Sequence, residues 1–225
     1  MKVFQYIRYF FYLAWYWNPV LAIFIIYHEI KGERKYKLHT TGYDELNNLK
    51  KQGVDIAHST MYMPANYYIL EKLMEKLKEI PGNTCLLDIG CGKGRVLIVA
   101  AHYGFKKLIG AELSDKFCND ANENIAAHKD NFTETFFDIY HANASDFLIP
   151  DEVTTFFLYN PFDAVVMQHV LEHINDSLER NPRDLYIAYM NPEEKELFLL
   201  SGFNEIFHLK TMNLLEGTIL QKTHN

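Results

Sequence analysis

Asp88, Gly90, Gly92 and Gly94 alternate along Leu86-Leu87-Asp88-Ile89-Gly90-Cys91-Gly92-Lys93-Gly94-Arg95, where an apolar run breaks into a glycine-rich turn. The chain then passes directly into Val96-Leu97-Ile98-Val99-Ala100-Ala101. That order reads as a buried strand, a tight loop and a helix N-terminus. Glycines let the backbone approach a ligand closely, and the free N–H groups of a helix's first turn face it. The expected ligand carries adenosine. A dinucleotide fingerprint, G-x-G-x-x-G, would need a glycine at 95, where Arg95 stands. An acid ahead of the turn suits a ligand with a cationic amino group, whereas Asp88 would repel a pyrophosphate.

A second acid follows at a useful distance. Lys107-Leu108-Ile109-Gly110-Ala111-Glu112 ends eighteen residues after Gly94, and a carboxylate there can accept hydrogen bonds from both ribose hydroxyls. Its alternative, a capping acid for the next helix, is weakened because Ser114 and Asp115 already fill that role.

The Asp-x-Gly-x-Gly-x-Gly stretch resembles motif I of the class I S-adenosylmethionine (SAM)-dependent methyltransferases, and the likeness covers about residues 84–220. The resemblance implies S-adenosyl-L-methionine as cofactor, with Asp88, Gly90, Gly92, Gly94 and Glu112 holding it. It further implies Asp146 as acceptor for the adenine amino group and Phe147 as the apolar neighbour of the ring. A surface turn is the other reading of those two residues. Tyr159-Asn160-Pro161-Phe162 is similar to the Asn/Asp-Pro-Pro-aromatic motif of amino-group methyltransferases but has a single proline. By that likeness Asn160, Pro161 and Phe162 position a planar amine, with Asn160 equally able to cap a helix, as the Asn-Pro pairs at 18, 181 and 191 could. Tyr62 and Tyr67, in the segment that folds over the cofactor in similar enzymes, and Tyr159 are candidates for lining the site. The activity implied is methyl transfer by direct displacement to an unidentified acceptor, a small molecule or protein; the Asn160 motif favours an amino group over an oxygen or carbon acceptor. Two other readings stand beside it: a catalytically silent, SAM-binding, membrane-tethered interaction protein, and an NAD-dependent oxidoreductase, which the missing third glycine disfavours.

One competing motif is His169-Val170-Leu171-Glu172-His173, the H-x-x-E-H zinc pattern. Met167, Val170, Leu171, Ile174 and Leu178 form the apolar stripe of that helix, so both histidines are expected on the solvent side and no metal is assigned.

These residues need a scaffold, and from residue 84 onward strands and helices alternate with short connections, the pattern of a doubly wound sheet. Strands are expected at 84–90, 107–112, 135–141, 154–159, 184–189, 203–210 and 214–222, with helices near 94–103, 115–128, 163–179 and 192–200. The last two strands have no helix between them. The fold class is therefore α/β, and the resemblance implies a mostly parallel seven-stranded sheet with a terminal antiparallel hairpin. Ahead of it, residues 38–83 read as a helical cap: a stretch over 43–51 ending at Gly53, then a helix opened by Pro64 with Leu70, Leu73, Leu77 and Ile80 on its apolar face.

Residues 1–37 form an aromatic-rich extension. Asn18-Pro19 should divide it into one helix before residue 18 and another from 19 to about 31, closed by Gly32. Only Arg8 is ionised between Val3 and Tyr27, and Lys31, Arg34, Lys35 and Lys37 follow. Aromatic crowding next to a basic cluster suits contact with a membrane surface through residues 3–30, on its cytoplasmic face; a helical pair packed on the domain or on a partner chain is the other reading. Three cysteines without a C-x-x-C pair fit a reducing, cytoplasmic setting. A net charge of −7 argues against general nucleic-acid binding.

Overall fold

A computed structural model of the chain describes residues 2–41, 63–159 and 164–224. The helix expected at 43–51, Tyr62 and the Asn160-Pro161-Phe162 triplet lie outside the described residues. Seven strands form one sheet: β1 (Cys85–Ile89), β2 (Lys107–Glu112), β3 (Phe136–His141), β4 (Thr155–Tyr159), β5 (Leu185–Met190), β6 (Asn204–Thr211) and β7 (Leu215–Lys222). Their order is β3-β2-β1-β4-β5-β7-β6. The first five are parallel, and β7 inserts antiparallel between β5 and β6. The fold is thus the α/β, doubly wound sheet with a terminal hairpin that the sequence implied.

Helices cover both faces, and strand alternation divides the core between them. Leu86, Leu108 and Phe157 point toward α1 (Lys2–Tyr16), α2 (Pro19–Tyr36), α3 (Tyr67–Lys78) and α4 (Arg95–His102). Leu87, Ile109 and Phe156 point toward α6 (Ala164–Arg180) and α7 (Lys195–Leu200). On α6 the buried residues are Val166, Met167, Val170, Leu171, Ile174 and Ser177, close to the stripe expected. The remaining helix, α5 (Asp115–Ala126), follows β2 and is capped by Ser114, which accepts from the Phe117 amide.

Helix boundaries correct several expectations, each for a local reason. Asn18 does cap α2, accepting from the Leu21 amide at 2.8 Å, a bond worth about 1 kcal/mol. Gly32, however, does not end that helix, which runs to Tyr36 and closes where Lys37 turns left-handed at φ 54°. The glycine serves packing: a Cβ at residue 32 would lie 2.2 Å from the Tyr67 ring. Pro64 does not open α3 either; the cap is Asn66, accepting from the Tyr68 amide at 3.0 Å. At Asn191-Pro192 no helix begins, because Asn191 is left-handed (φ 47°) rather than extended, and α7 starts only at Lys195.

Candidate active site

β1 ends at Ile89, and the turn that follows brings the Gly90 and Cys91 amides onto the Ala111 carbonyl at 2.8 and 3.1 Å. Gly90, Gly92 and Gly94 all have left-handed φ, at 81°, 52° and 77°. At Gly94 an added Cβ would also sit 3.3 Å from that of Ala121, so the dihedral disfavours a side chain and the space is tight for one. Gly110 on β2 makes the same close approach from the other side, since a Cβ there would meet Cys91 Sγ at 2.6 Å. Cys91 is buried, and burial followed by the Asp88 and Glu112 charges pushes its thiol well up. It packs the turn.

Glu112 closes the loop. Its carboxylate accepts from the Gly92 amide and from the Ser114 amide, both at 2.8 Å. Burial raises its pKa, and these amides only partly oppose the rise. Asp88 is 3% exposed, and its Oδ2 has no hydrogen-bond partner among the described residues. Burial, reinforced by the Glu112 charge, holds its carboxyl well above the usual range. A buried acceptor with nothing to accept from costs about 1–3 kcal/mol, and a cationic amino group would relieve it. The open-backed glycine cradle and this orphaned oxygen together fit S-adenosylmethionine.

Asp146 lies in a turn after β3, organised by Asn143, which accepts from the Ser145 and Asp146 amides at 3.1 Å. Asp146 is exposed, and the Phe147 ring is half-buried 5.5 Å from that of Tyr140. His173 differs from its expected solvent placement. It is half-buried, and its Nε2 meets the Ser145 carbonyl at 2.8 Å, fastening this turn to α6. His169 is exposed, 3.4 Å from Glu172.

Arg95 is the residue that sequence reasoning missed. It follows Gly94, is 3% exposed, and turns back to the extension, pairing through both terminal nitrogens with Glu29 of α2. Nε donates to Thr40 Oγ1 at 2.7 Å, Nη1 to the Ala65 carbonyl at 2.8 Å, and the guanidinium lies 4.2 Å from the centre of the Tyr67 ring. Tyr67 is therefore buried behind the loop, between Arg95 and Gly32. A second carboxylate of α2, Glu33, accepts from the Thr40 and Thr41 amides and from Tyr6 of α1. Two acids at the end of the aromatic extension, the first of them before its basic cluster, and one arginine opening an apolar helix were the available signals.

At the carboxyl ends of β4 and β5 the extension encloses a pocket of about 350 Å³, lined by Tyr9, Trp17, Glu29, Asn66, Tyr159 and Glu193 among others. Burial pushes the Tyr159 hydroxyl up to about 12. The Asn66 amide is fixed by its capping oxygen, leaving a buried Nδ2 without a partner among the described residues.

The methyltransferase-domain family model matches residues 61–193, more than half of the chain. A protein-lysine N-methyltransferase from Saccharolobus islandicus is 31% identical over 65 residues, which cover 28% of this chain and 40% of that one, so the likeness spans two fifths of the relative's length. Among solved structures, a protein described as a methylase from Haemophilus influenzae superposes with a TM-score of 0.55 at 19% identity, over 71% of this chain and 99% of the other. Magnesium protoporphyrin IX methyltransferase from Synechocystis, with bound SAM, gives 0.52 at 12% identity, over 88% and 91% of the two chains. The glycine loop, the sheet order and the matched domain converge on one conclusion: the chain belongs to the methyltransferase-domain family, SAM-dependent enzymes with a Rossmann-like fold.

Proposed function

We propose that the chain methylates an amino group presented in the pocket between the extension and the carboxyl ends of β4 and β5. The observation that carries this reading is the pocket itself, which opens at Tyr159, beside the Asp88–Gly94 loop in the sheet order, and holds Glu193 together with the aromatic walls of Tyr9 and Trp17. Carboxylates and aromatic faces attract a cationic amine. The partial likeness to a protein-lysine N-methyltransferase supports the same acceptor chemistry.

On this reading Asp88 takes the amino group of the cofactor, Gly90, Gly92 and Gly94 give it room, and Glu112 receives its ribose. Asp146 and Phe147 face the adenine. Bound there, SAM supplies an electrophilic methyl group for direct displacement. The chain's own task is alignment: Asn160 and Phe162 orient the amine, while Tyr62 and Tyr159 exclude water.

Incubating the chain with tritiated SAM and a protein extract tests the assignment. Label should enter protein, survive ribonuclease, and vanish when lysines are acetylated beforehand. Label that enters RNA, or that persists after acetylation, would overturn the amine assignment.

A further inference from the structure

Residues 1–41 contain six Lys and Arg against two Glu, a formal +4, while the remainder of the chain stands at −11. Both of those acids face inward: Glu29 is held by Arg95, and Glu33 by Thr40, Thr41 and Tyr6. Lys35 meets Glu71 of α3 at 2.7 Å. Lys31, Arg34 and Lys37 remain exposed along the end of α2. The α1–α2 hairpin therefore shows solvent a cationic surface on an acidic protein.

Large apolar side chains share that surface. Phe4, Ile7, Phe11 and Trp15 recur at helical spacing on α1 and are exposed, Trp15 to 86%. Val20, Ile23 and Tyr27 do the same on α2, and their line continues into Lys31 and Arg34. Between the helices opens a groove of about 800 Å³, walled by Ile7, Phe10, Phe11, Ile26 and Ile30, with Arg34 and Lys37 at its mouth. Exposed apolar surface this continuous marks an interaction site.

We propose that this face binds the surface of a bilayer containing anionic lipid. The aromatic side chains enter the boundary between headgroups and acyl chains, and Lys31, Arg34 and Lys37 meet lipid phosphates. Neither helix is long and apolar enough to cross a membrane, which suits a hairpin lying in the interface. A second copy of the chain fits less well, because a two-fold pairing would set these cations against themselves.

The two tryptophans of the chain, Trp15 and Trp17, both lie in this hairpin, so intrinsic fluorescence reports on it directly. The full chain is mixed with vesicles of phosphatidylcholine alone, or of equal parts phosphatidylcholine and phosphatidylglycerol. Flotation with a blue shift is expected for the anionic vesicles and should weaken with salt. Arg34→Gln with Lys37→Gln should bind about 30-fold more weakly, from roughly 1 kcal/mol per charge. Phe11→Ser with Trp15→Ser should abolish flotation. All four positions are exposed, and unchanged S-adenosylhomocysteine affinity verifies that each variant is folded. Three results would overturn the proposal: no flotation with either vesicle, binding indifferent to lipid charge and to both variants, or self-association by light scattering without vesicle binding.

Discussion

Replacing Glu29 by glutamine should damage this protein more than any surface change, because it leaves the Arg95 guanidinium buried without its counter-charge. Removing one partner of a buried pair costs about 3–5 kcal/mol. Here the lower end applies, since Thr40 Oγ1, the Ala65 carbonyl and the Tyr67 ring still surround the cation. For a chain of this size about 3 kcal/mol corresponds to a melting temperature roughly 6–12 °C lower. The effect should also reach the cofactor. Arg95 begins α4 directly after Gly94, so a guanidinium that shifts to find water drags the loop with it. S-adenosylhomocysteine should bind about tenfold more weakly, within the 0.5–2 kcal/mol by which residues without ligand contact modulate a site. Thermal unfolding with and without S-adenosylhomocysteine reads both quantities. Glu29→Met combined with Arg95→Met removes both charges and should regain most of the stability. A Glu29→Gln chain melting within 2 °C of the parent, with unaltered affinity, would refute the view that this pair ties the extension to the loop.

Asp88→Asn should leave the ligand-free chain as stable or more so at neutral pH, since burial already opposes its charge. Calorimetry should nevertheless find S-adenosylhomocysteine bound 10- to 150-fold more weakly, the equivalent of about 1.5–3 kcal/mol for a charged hydrogen bond. Gly92→Val places a side chain where φ is 52° and where Glu112 grips the amide, and should abolish that binding in the same titration. Glu33 has its pKa lowered: burial acts upward, but bonds from Thr41 and Tyr6 and the charge of Arg95 prevail. Its contribution is therefore present above the unfolded value near 4.5 and lost as pH falls through the lower folded value; Glu33→Gln should flatten the acid limb of melting temperature against pH. Asn160→Ser keeps a helix-capping oxygen but no amide plane, so positioning of an amine predicts an activity loss of order 10²-fold with melting temperature unchanged, whereas a purely capping role predicts full turnover.

The sheet and the glycine loop were legible because each rests on local pattern: apolar strand runs, helical stripes such as Met167-Val170-Leu171-Ile174, and a turn whose dihedrals only glycine adopts readily. What escaped the sequence depends on distance along the chain. Arg95 reads locally as a glycine that is absent, and its hydrogen-bond partners lie 30 to 66 residues away. Gly32 reads locally as a helix stop, yet the ring it accommodates belongs to Tyr67. Asn191-Pro192 has the composition of a cap, and only its left-handed backbone reveals a turn. Hydropathy likewise does not divide the aromatic part of the extension by face, where the structure separates an inner face that seals Arg95 from an outer, exposed one.

Buried charge offers a way to sort this site, because a protein tolerates it only when something answers it. Arg95 is answered wholly by the chain, from Glu29, Thr40, Ala65 and Tyr67, and so its work is to hold the loop. Glu112 is answered by two backbone amides, which fix the carboxylate against Gly92 and Ser114 while leaving lone pairs unused. Asp88 has an oxygen that nothing described in the chain answers. Along one strand, one loop and the next strand end, the three groups form a series of falling internal partnership. The order in which they lack partners is the order in which a ligand has bonds to supply, and the function proposed above uses that order: the amino end of the cofactor, the group with cationic donors to give, against Asp88, and the ribose hydroxyls against Glu112.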